Sequence, residues 1–259
     1  MLTLTSRQFW DVFFTKLKFN LKSEGSKTYL GYLWWLLEPA LFVATMYIVF
    51  GILLQLRSDD FLAFLICGQV AFSWFSRSVS HCSGALMDGR GIINQVAIPK
   101  PFFPLLVIGQ DLVKQLLVFL MTFLFLLFLN LDPTYVWFAL LPVIATQLLM
   151  IIAVGLFTAA IVPPVPDFKF LIGTGLMIMM WGSGIFYSYE QVLLPEHREI
   201  FLMNPMANLI KNYRQVILDN QWPDWAALGT IAICSFVFIV VMVGVYRRFD
   251  TAYARLVVQ

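Results

Sequence analysis

Apolar residues in this chain run together in long, nearly charge-free stretches rather than alternating with polar ones, and each stretch is closed by charged or turn-forming residues. A helix crossing a hydrocarbon core about 30 Å thick needs about 20 mostly apolar residues. Six stretches reach that length: about Trp35 to Leu54, Phe61 to Ser80, Leu105 to Leu129, Tyr135 to Val162, Phe170 to Tyr189 and Trp225 to Tyr246. The third holds Asp111 and Lys114 in its first half. Between Pro133 and Pro166 no charge occurs, which leaves room for one tilted helix but hardly for two with a turn between. The crossings must be helices, because a lipid-exposed strand edge leaves backbone groups unpaired. Ahead of them the pattern changes. Trp10, Phe13, Phe14, Leu17 and Leu21 fall on one helical face and Asp11, Lys18 and Lys22 on the opposite one, which predicts an amphipathic helix lying on the membrane surface. It is either a plain anchor or a clasp around a partner subunit.

Composition excludes a soluble alternative. The chain of 259 residues is 60% hydrophobic and 12% charged, whereas soluble domains carry charge on roughly a quarter of their positions. So few charges cannot coat a water-exposed surface. The fold class is therefore an all-α integral membrane protein with six transmembrane helices. Residues 1–259 form one domain, with an N-terminal segment 1–33, a membrane region 35–246 and a tail 247–259, and no internal repeat is visible. The Lys and Arg residues form no run that would suggest a nucleic-acid site. Their placement sets the topology, because cytoplasmic flanks hold the excess of cations. Arg7, Lys16, Lys18, Lys22 and Lys27 precede the first span, Arg247, Arg248 and Arg255 follow the last, and Arg90 and Lys100 lie between the second and third. Both termini are expected in the cytoplasm. Arg57 stands in the first external loop, and Arg198, Lys211 and Arg214 run against the rule in a longer one, where the rule acts weakly. The N-terminus lacks the succession of a cleavable signal peptide and is expected to be retained.

Chemistry-bearing motifs are scarce. Cys67, Cys82 and Cys234 are isolated and read as packing residues, and His81 and His197 have no acidic or Cys partner at metal-ligand spacing, so neither a metal site nor a catalytic residue is expected. No phosphate-cradling G-x-x-x-x-G-K-[ST] loop occurs, and Gly182-Ser183-Gly184 falls short of a nucleophile elbow. Asp111 and Lys114 share a helix face and read first as an interfacial ion pair, with an ion relay as the alternative. Glu38-Pro39 suits the start of the first span. Aromatic residues make up 16% of the chain. Such residues usually form interface belts, but rings also stack on the C–H faces of sugars.

Three stretches resemble the permease subunits of ABC transporters that export polysaccharides, the O-antigen, capsule and teichoic-acid exporters. Leu30, Gly31, Trp34 and Pro39 in Tyr29-Leu30-Gly31-Tyr32-Leu33-Trp34-Trp35-Leu36-Leu37-Glu38-Pro39 are similar to the family's approach to its first span. Asn94-Gln95-Val96-Ala97-Ile98-Pro99-Lys100-Pro101-Phe102-Phe103-Pro104 resembles its coupling segment. Asn204-Pro205-Met206 followed by Tyr213-Arg214 resembles its external N-P-x…R pattern. Many relatives carry an Arg-Asp pair before the fifth span, where this chain reads Pro166-Asp167 and lacks the Arg.

The resemblance implies a homodimer working with two copies of a separate ATP-hydrolysing subunit. ATP and Mg would be bound by that partner and no cofactor by this chain. The substrate would be a lipid-linked polysaccharide, O-antigen before capsule or teichoic acid, crossing the bacterial inner membrane. ATPase coupling falls to a short helix around Asp88, Arg90, Ile93, Asn94 and Ile98, unless that stretch is a solvated turn. Two short helices containing Asn204, Pro205, Tyr213 and Arg214 would form an external gate, unless they merely lie on the surface. The glycan path is assigned to Tyr47, Trp74, Trp181, Phe186 and Tyr187. Two alternatives stay open: an exporter of small lipophilic compounds, and a membrane-embedded enzyme acting on lipid or glycan.

Overall fold

The computed structural model describes residues 6–26, 29–53, 61–93 and 98–258. Met1 to Thr5, Lys27, Leu54, Arg57 and Asn94 to Ala97, which enter the reading above, lie outside them. All regular structure among the described residues is helical. Helix α1, Ser6–Ser26, comes first. A 3-10 turn at Gly31–Leu33 leads into α2, Trp34–Met46, which continues as a π-helical stretch, Tyr47–Leu53. Next come α3, Phe61–Asp88, the single turn α4, Arg90–Ile93, and α5, Phe102–Phe128. A 3-10 segment, Tyr135–Ala139, opens α6, Leu140–Ile161, and α7 spans Phe168–Trp181. Three short helices follow, α8 (Tyr189–Val192), α9 (Pro195–Leu202) and α10 (Pro205–Ile217), before α11, Trp225–Val258.

Among the described residues five helical stretches are long and apolar enough to cross a membrane: Gly31–Leu53, Phe61–Ile93, Phe102–Phe128, Tyr135–Ile161 and Trp225–Asp250. The expected fifth span is shorter than its apolar run. Helix α7 has 14 residues, about 21 Å at 1.5 Å per residue, and stops at Gly182. Gly184 takes a φ of +67° there, which a helix cannot continue through. A second correction concerns Pro39. The helix begins before it, because Gly31 at φ +48° turns the chain into the 3-10 entry. Pro39 therefore lies inside α2 rather than in a first turn.

Helix α3 is the centre of the bundle, with 18 of its 28 residues buried, and α2, α5, α6, α7 and α10 all pack on it. Side-chain amides and hydroxyls tie the helices together by donating to backbone carbonyls. Gln147 Nε2 reaches Ala71 O at 2.7 Å, Gln115 Nε2 reaches Val70 O at 3.4 Å and Thr158 Oγ1 reaches Val79 O at 3.4 Å. Such donors suit a bundle in lipid, where the apolar effect alone does not drive helices together.

The outer surface is apolar along whole helices. Leu116, Leu120, Leu124 and Phe128 form a stripe on α5, and Phe236, Val237, Val240 and Val241 do so on α11, all of them exposed. A soluble protein rarely exposes such continuous apolar surface; hydrocarbon solvates it. Together with the five long apolar helices, this makes the chain a multi-pass membrane protein. Helix α1 lies against α5 of its own chain. Phe13 packs edge-on against Phe102, while Trp10 and Phe14 remain exposed.

Candidate functional site

The break after α7 is built from the residues around it. Ser183 Oγ turns back to Met179 O at 2.6 Å, and the carbonyls freed by the break are met by side chains of the α10 region. Asn204 caps α10 with its Oδ1, which accepts from Met206 N at 3.0 Å, and Pro205 takes the first helical position. The same side chain donates its Nδ2 to Gly182 O at 3.1 Å and to Ser183 Oγ at 3.2 Å. From the far end of α10, Arg214 Nη1 donates to Gly184 O at 2.8 Å and Nη2 to Ile185 O at 3.0 Å. Its Nε and Nη2 also reach Phe64 O on α3, at 3.4 and 3.3 Å. The guanidinium lies 3.3 Å from the centre of the Phe64 ring.

Arg214 is 9% exposed and makes no ion pair with a described residue, so carbonyl dipoles and an aromatic face offset its charge. Burial lowers its pKa to about 9, and it stays cationic at neutral pH. Gly68 makes room for it: a Cβ there would lie 2.8 Å from Arg214 Nη2. Tyr213 completes the brace, its hydroxyl donating to Gln147 Oε1 at 2.7 Å while Gln147 holds Ala71 O. Asn204, Pro205, Tyr213 and Arg214 thus form one structural unit, joining α3, α6 and the end of α7.

Three of the five aromatic residues assigned to a path gather at this break. Trp181 and Phe186 have ring centres 5.0 Å apart, and Tyr187 donates its hydroxyl to Trp181 O at 2.9 Å. Phe186 is buried and stacks on Phe50 at 5.2 Å, whereas Trp181 is 47% exposed. Tyr47 stands apart, lining an apolar cavity of about 540 Å³ between α2, α3 and α5 with Pro39, Val43, Ile66, Val118 and Phe125. Trp74 lies in the core, 1% exposed and edge-on to Phe119. Phe50 and Phe201 join the cluster without a sequence signal, since only the fold brings them near.

At the opposite end of α3, Asp88 and Arg90 are exposed and Ile93 and Ile98 are buried, while Asn94 lies outside the described residues. Instead of one helix over Asp88 to Ile98, α3 runs on to Asp88 and Gly89 breaks it; a Cβ at Gly89 would fall 2.3 Å from the Phe103 ring. Ile93 and Ile98 belong to a cluster with Leu86 of α3, Phe102 of α5, Leu156 of α6 and Tyr246 of α11. At its rim the expected Asp111–Lys114 pair is present at 3.7 Å and extends further: Lys114 Nζ meets Glu24 of α1 at 2.7 Å, and Asp111 meets His81 of α3 at 3.0 Å. Among the described residues no three His, Cys, Asp or Glu side chains converge as a metal site would need.

The three cations that strained the charge rule are engaged within their own segment or the bundle. Arg214 is buried, Lys211 pairs with Asp224 at 3.5 Å, and Arg198 donates to the carbonyls of Leu193 and Glu190. One charge carried a signal the spans themselves offered: Arg77 lies inside the second predicted crossing.

Comparison with known proteins agrees with this architecture. The family model described as "ABC-2 type transporter" matches residues 99–218, from the start of α5 to the end of α10. An O-antigen export system permease protein RfbA of Klebsiella pneumoniae is 21% identical over 239 residues, covering 92% of this chain and 91% of that protein. The protein of the same name from Myxococcus xanthus is 24% identical over 225 residues, 85% of each chain. The polysialic acid transport protein KpsM of Escherichia coli is 21% identical over 246 residues, 90% of this chain and 91% of that one. The resemblance to polysaccharide-export ABC permeases is borne out.

Proposed function

We propose that this relative of the polysaccharide-export permeases is the membrane subunit of an ABC exporter that passes a lipid-linked polysaccharide across the bacterial inner membrane. O-antigen is the first substrate to test, then capsule or teichoic acid. The observation that carries the reading is the extent of likeness: proteins named for O-antigen and polysialic acid export align along 85% or more of their length and of this chain. In this reading two copies of the chain work with two copies of an ATPase subunit, and both termini face the cytoplasm. Helix α7 and the irregular stretch after it together make the sixth crossing.

The geometry suggests how the parts would act. ATPase closure against Asp88, Arg90 and Ile93 would push on a socket shared by α3, α5, α6 and α11, shifting the population between two arrangements of the spans. Helix α10, with Asn204, Pro205, Tyr213 and Arg214, would hold the external end as a frame. Trp181 and Tyr187, backed by Phe186 and Phe50, would offer ring faces to passing sugars, and Tyr47 would contribute from α2.

The reading is tested by deleting the gene in its host and following surface and intracellular glycan. Loss of one surface polysaccharide, accumulation of its lipid-linked form inside, and recovery on complementation are the expected results. Unchanged surface glycan with retention of a small lipophilic compound would favour the small-molecule exporter instead. Alanine at both Trp181 and Tyr187 should stop export while leaving the amount of membrane-inserted protein unchanged.

A further inference from the structure

Arg77 has no role in the frame, the socket or the aromatic cluster. Its face of α3 changes character along the helix. Ile66 and Val70, eleven and seven residues earlier on that face, line the apolar cavity beside α2. From Ser73 onward the face is half-buried or exposed and carries Ser73, Arg77, Ser80, His81, Gly84 and Asp88, with Ser76 and the exposed Met87 along its edge. Steps of three and four residues keep these positions together. Among the described residues the Arg77 side chain has no hydrogen-bond or ion-pair partner.

Depth sharpens the anomaly. Glu24, Lys114, Asp111 and His81 form a charged layer where the amphipathic α1 meets the bundle, which suits a membrane boundary. Arg77 lies one turn deeper, about 6 Å along α3 from His81. Helical side chains lean toward the N-terminus of their helix, so Arg77 leans toward Ser73 and away from that boundary. Snorkelling back to the boundary runs against this geometry. An unpaired cation at such depth faces a water-filled path or an anion.

We propose that Arg77 binds an oxyanion of the exported molecule, a phosphate or a sugar carboxylate, as it moves along the open face of α3. A guanidinium presents a planar fork of donors matched to either group; on the same face Ser73 Oγ donates to Val70 O at 3.2 Å, which leaves the guanidinium as the principal donor. Lys169 of α7 supplies a second cation on the same face, beside the Asp88 carboxylate, whose Oδ2 lies 3.2 Å from where a Cβ at Gly84 would be. Lys169 Nζ lies 3.9 Å from the same point, two turns or about 10 Å from Arg77. The two cations are therefore successive stations for a long chain rather than jaws of one clamp. That the anion belongs to the exported molecule rests on the export reading; that Arg77 binds an anion does not.

The test is a titration of the purified full-length chain in detergent with three probes: inorganic pyrophosphate, glucuronate and dihexanoyl phosphatidylglycerol. Wild type should bind pyrophosphate or glucuronate, identifying a phosphate or a sugar carboxylate respectively, and R77Q should weaken that binding about tenfold. K169Q should weaken it less. Should R77Q not stay monodisperse, R77K decides, because loss of the fork alone should cost about threefold and unchanged affinity overturns the site. Equal binding by wild type and R77Q, or no binding of any probe by wild type, also overturns it. Phosphatidylglycerol binding as tightly as the best soluble probe would make the ligand a resident lipid and overturn the assignment to the exported molecule. Unaltered anion binding by R77Q in a chain whose deletion abolishes surface glycan removes this site and leaves the export reading standing. Arg77-dependent anion binding in a chain whose deletion changes no glycan does the reverse.

Discussion

The two ends of the bundle are held by different physics. At the α10 end, side chains donate to backbone carbonyls: buried Arg214 to Gly184, Ile185 and Phe64, and half-buried Asn204 to Gly182. Such bonds are directional and strengthened by a low local dielectric, so they fix geometry. At the α1 and α4 end, Ile93, Ile98, Phe13, Phe102 and Tyr246 share an apolar cluster with the chain Glu24, Lys114, Asp111 and His81 at its rim. Apolar packing is not directional, and although Asp111 and Lys114 are buried, their outer partners His81 and Glu24 are half-exposed, so those contacts exchange at little cost. The contrast separates a fixed frame from a socket that can shift, and on the proposed export reading mechanical work would enter at the socket.

Removing Arg214 is the sharpest way to break the comparison. R214A leaves the buried carbonyls of Gly184 and Ile185 without this donor and opens a cavity, a loss of about 3–5 kcal/mol. Thermal melting of the detergent-purified chain should fall well below wild type, or folded protein should be lost. R214K keeps the charge without the fork and should recover only part of the loss. Wild-type melting of R214A would mean that the break after α7 needs no brace. G68A approaches the same contact from α3, because its Cβ would press on Arg214 Nη2. The expected loss is about 1–3 kcal/mol, read in the same melt, and a neutral result would show that Arg214 can shift without consequence.

Asn204 sharpens the picture because its two functions separate. N204A loses the helix cap and the bonds to Gly182 O and Ser183 Oγ, and should destabilise by about 1–2 kcal/mol. N204D keeps an acceptor for Met206 N but cannot donate to Gly182 O. If the brace matters beyond the cap, N204D should melt between wild type and N204A. Equal melting of N204D and wild type would reduce Asn204 to a local cap.

Most of the fold was legible because hydrocarbon imposes a length on apolar runs, and the six predicted stretches fall on helices at or near the expected positions. Where the sequence misled, a local backbone device outweighed the run of apolar residues. Gly182 and Gly184 end α7 although Ile185, Phe186 and Tyr187 continue its hydropathy, and Gly31 starts α2 ahead of Pro39. The gate residues were legible as a motif, but their purpose was not, since Arg214 meets Phe64 across 150 residues and no local pattern encodes that. His81 read as solitary because its partner Asp111 is 30 residues away. Among the aromatic residues, only proximity in space separates Trp181, on the surface, from Trp74, in the core.

The smallest effect expected on stability is the one that tests mobility. Glu24 is half-exposed and its pair with Lys114 bridges α1 and α5, so E24Q should change stability by less than about 1 kcal/mol. Lys114 retains Asp111 as a partner, and no charge is stranded. What E24Q removes is one of the contacts that hold the end of α1 to the bundle. Hydrogen exchange of the α1 amides should therefore quicken, more so at low salt where the lost attraction is least screened, while exchange in α10 stays at the wild-type rate. Quickening at both ends would mean that frame and socket open as one unit. Quickening confined to α1 would fit a socket whose parts can move while the far end holds still, which is what a push from α4 requires.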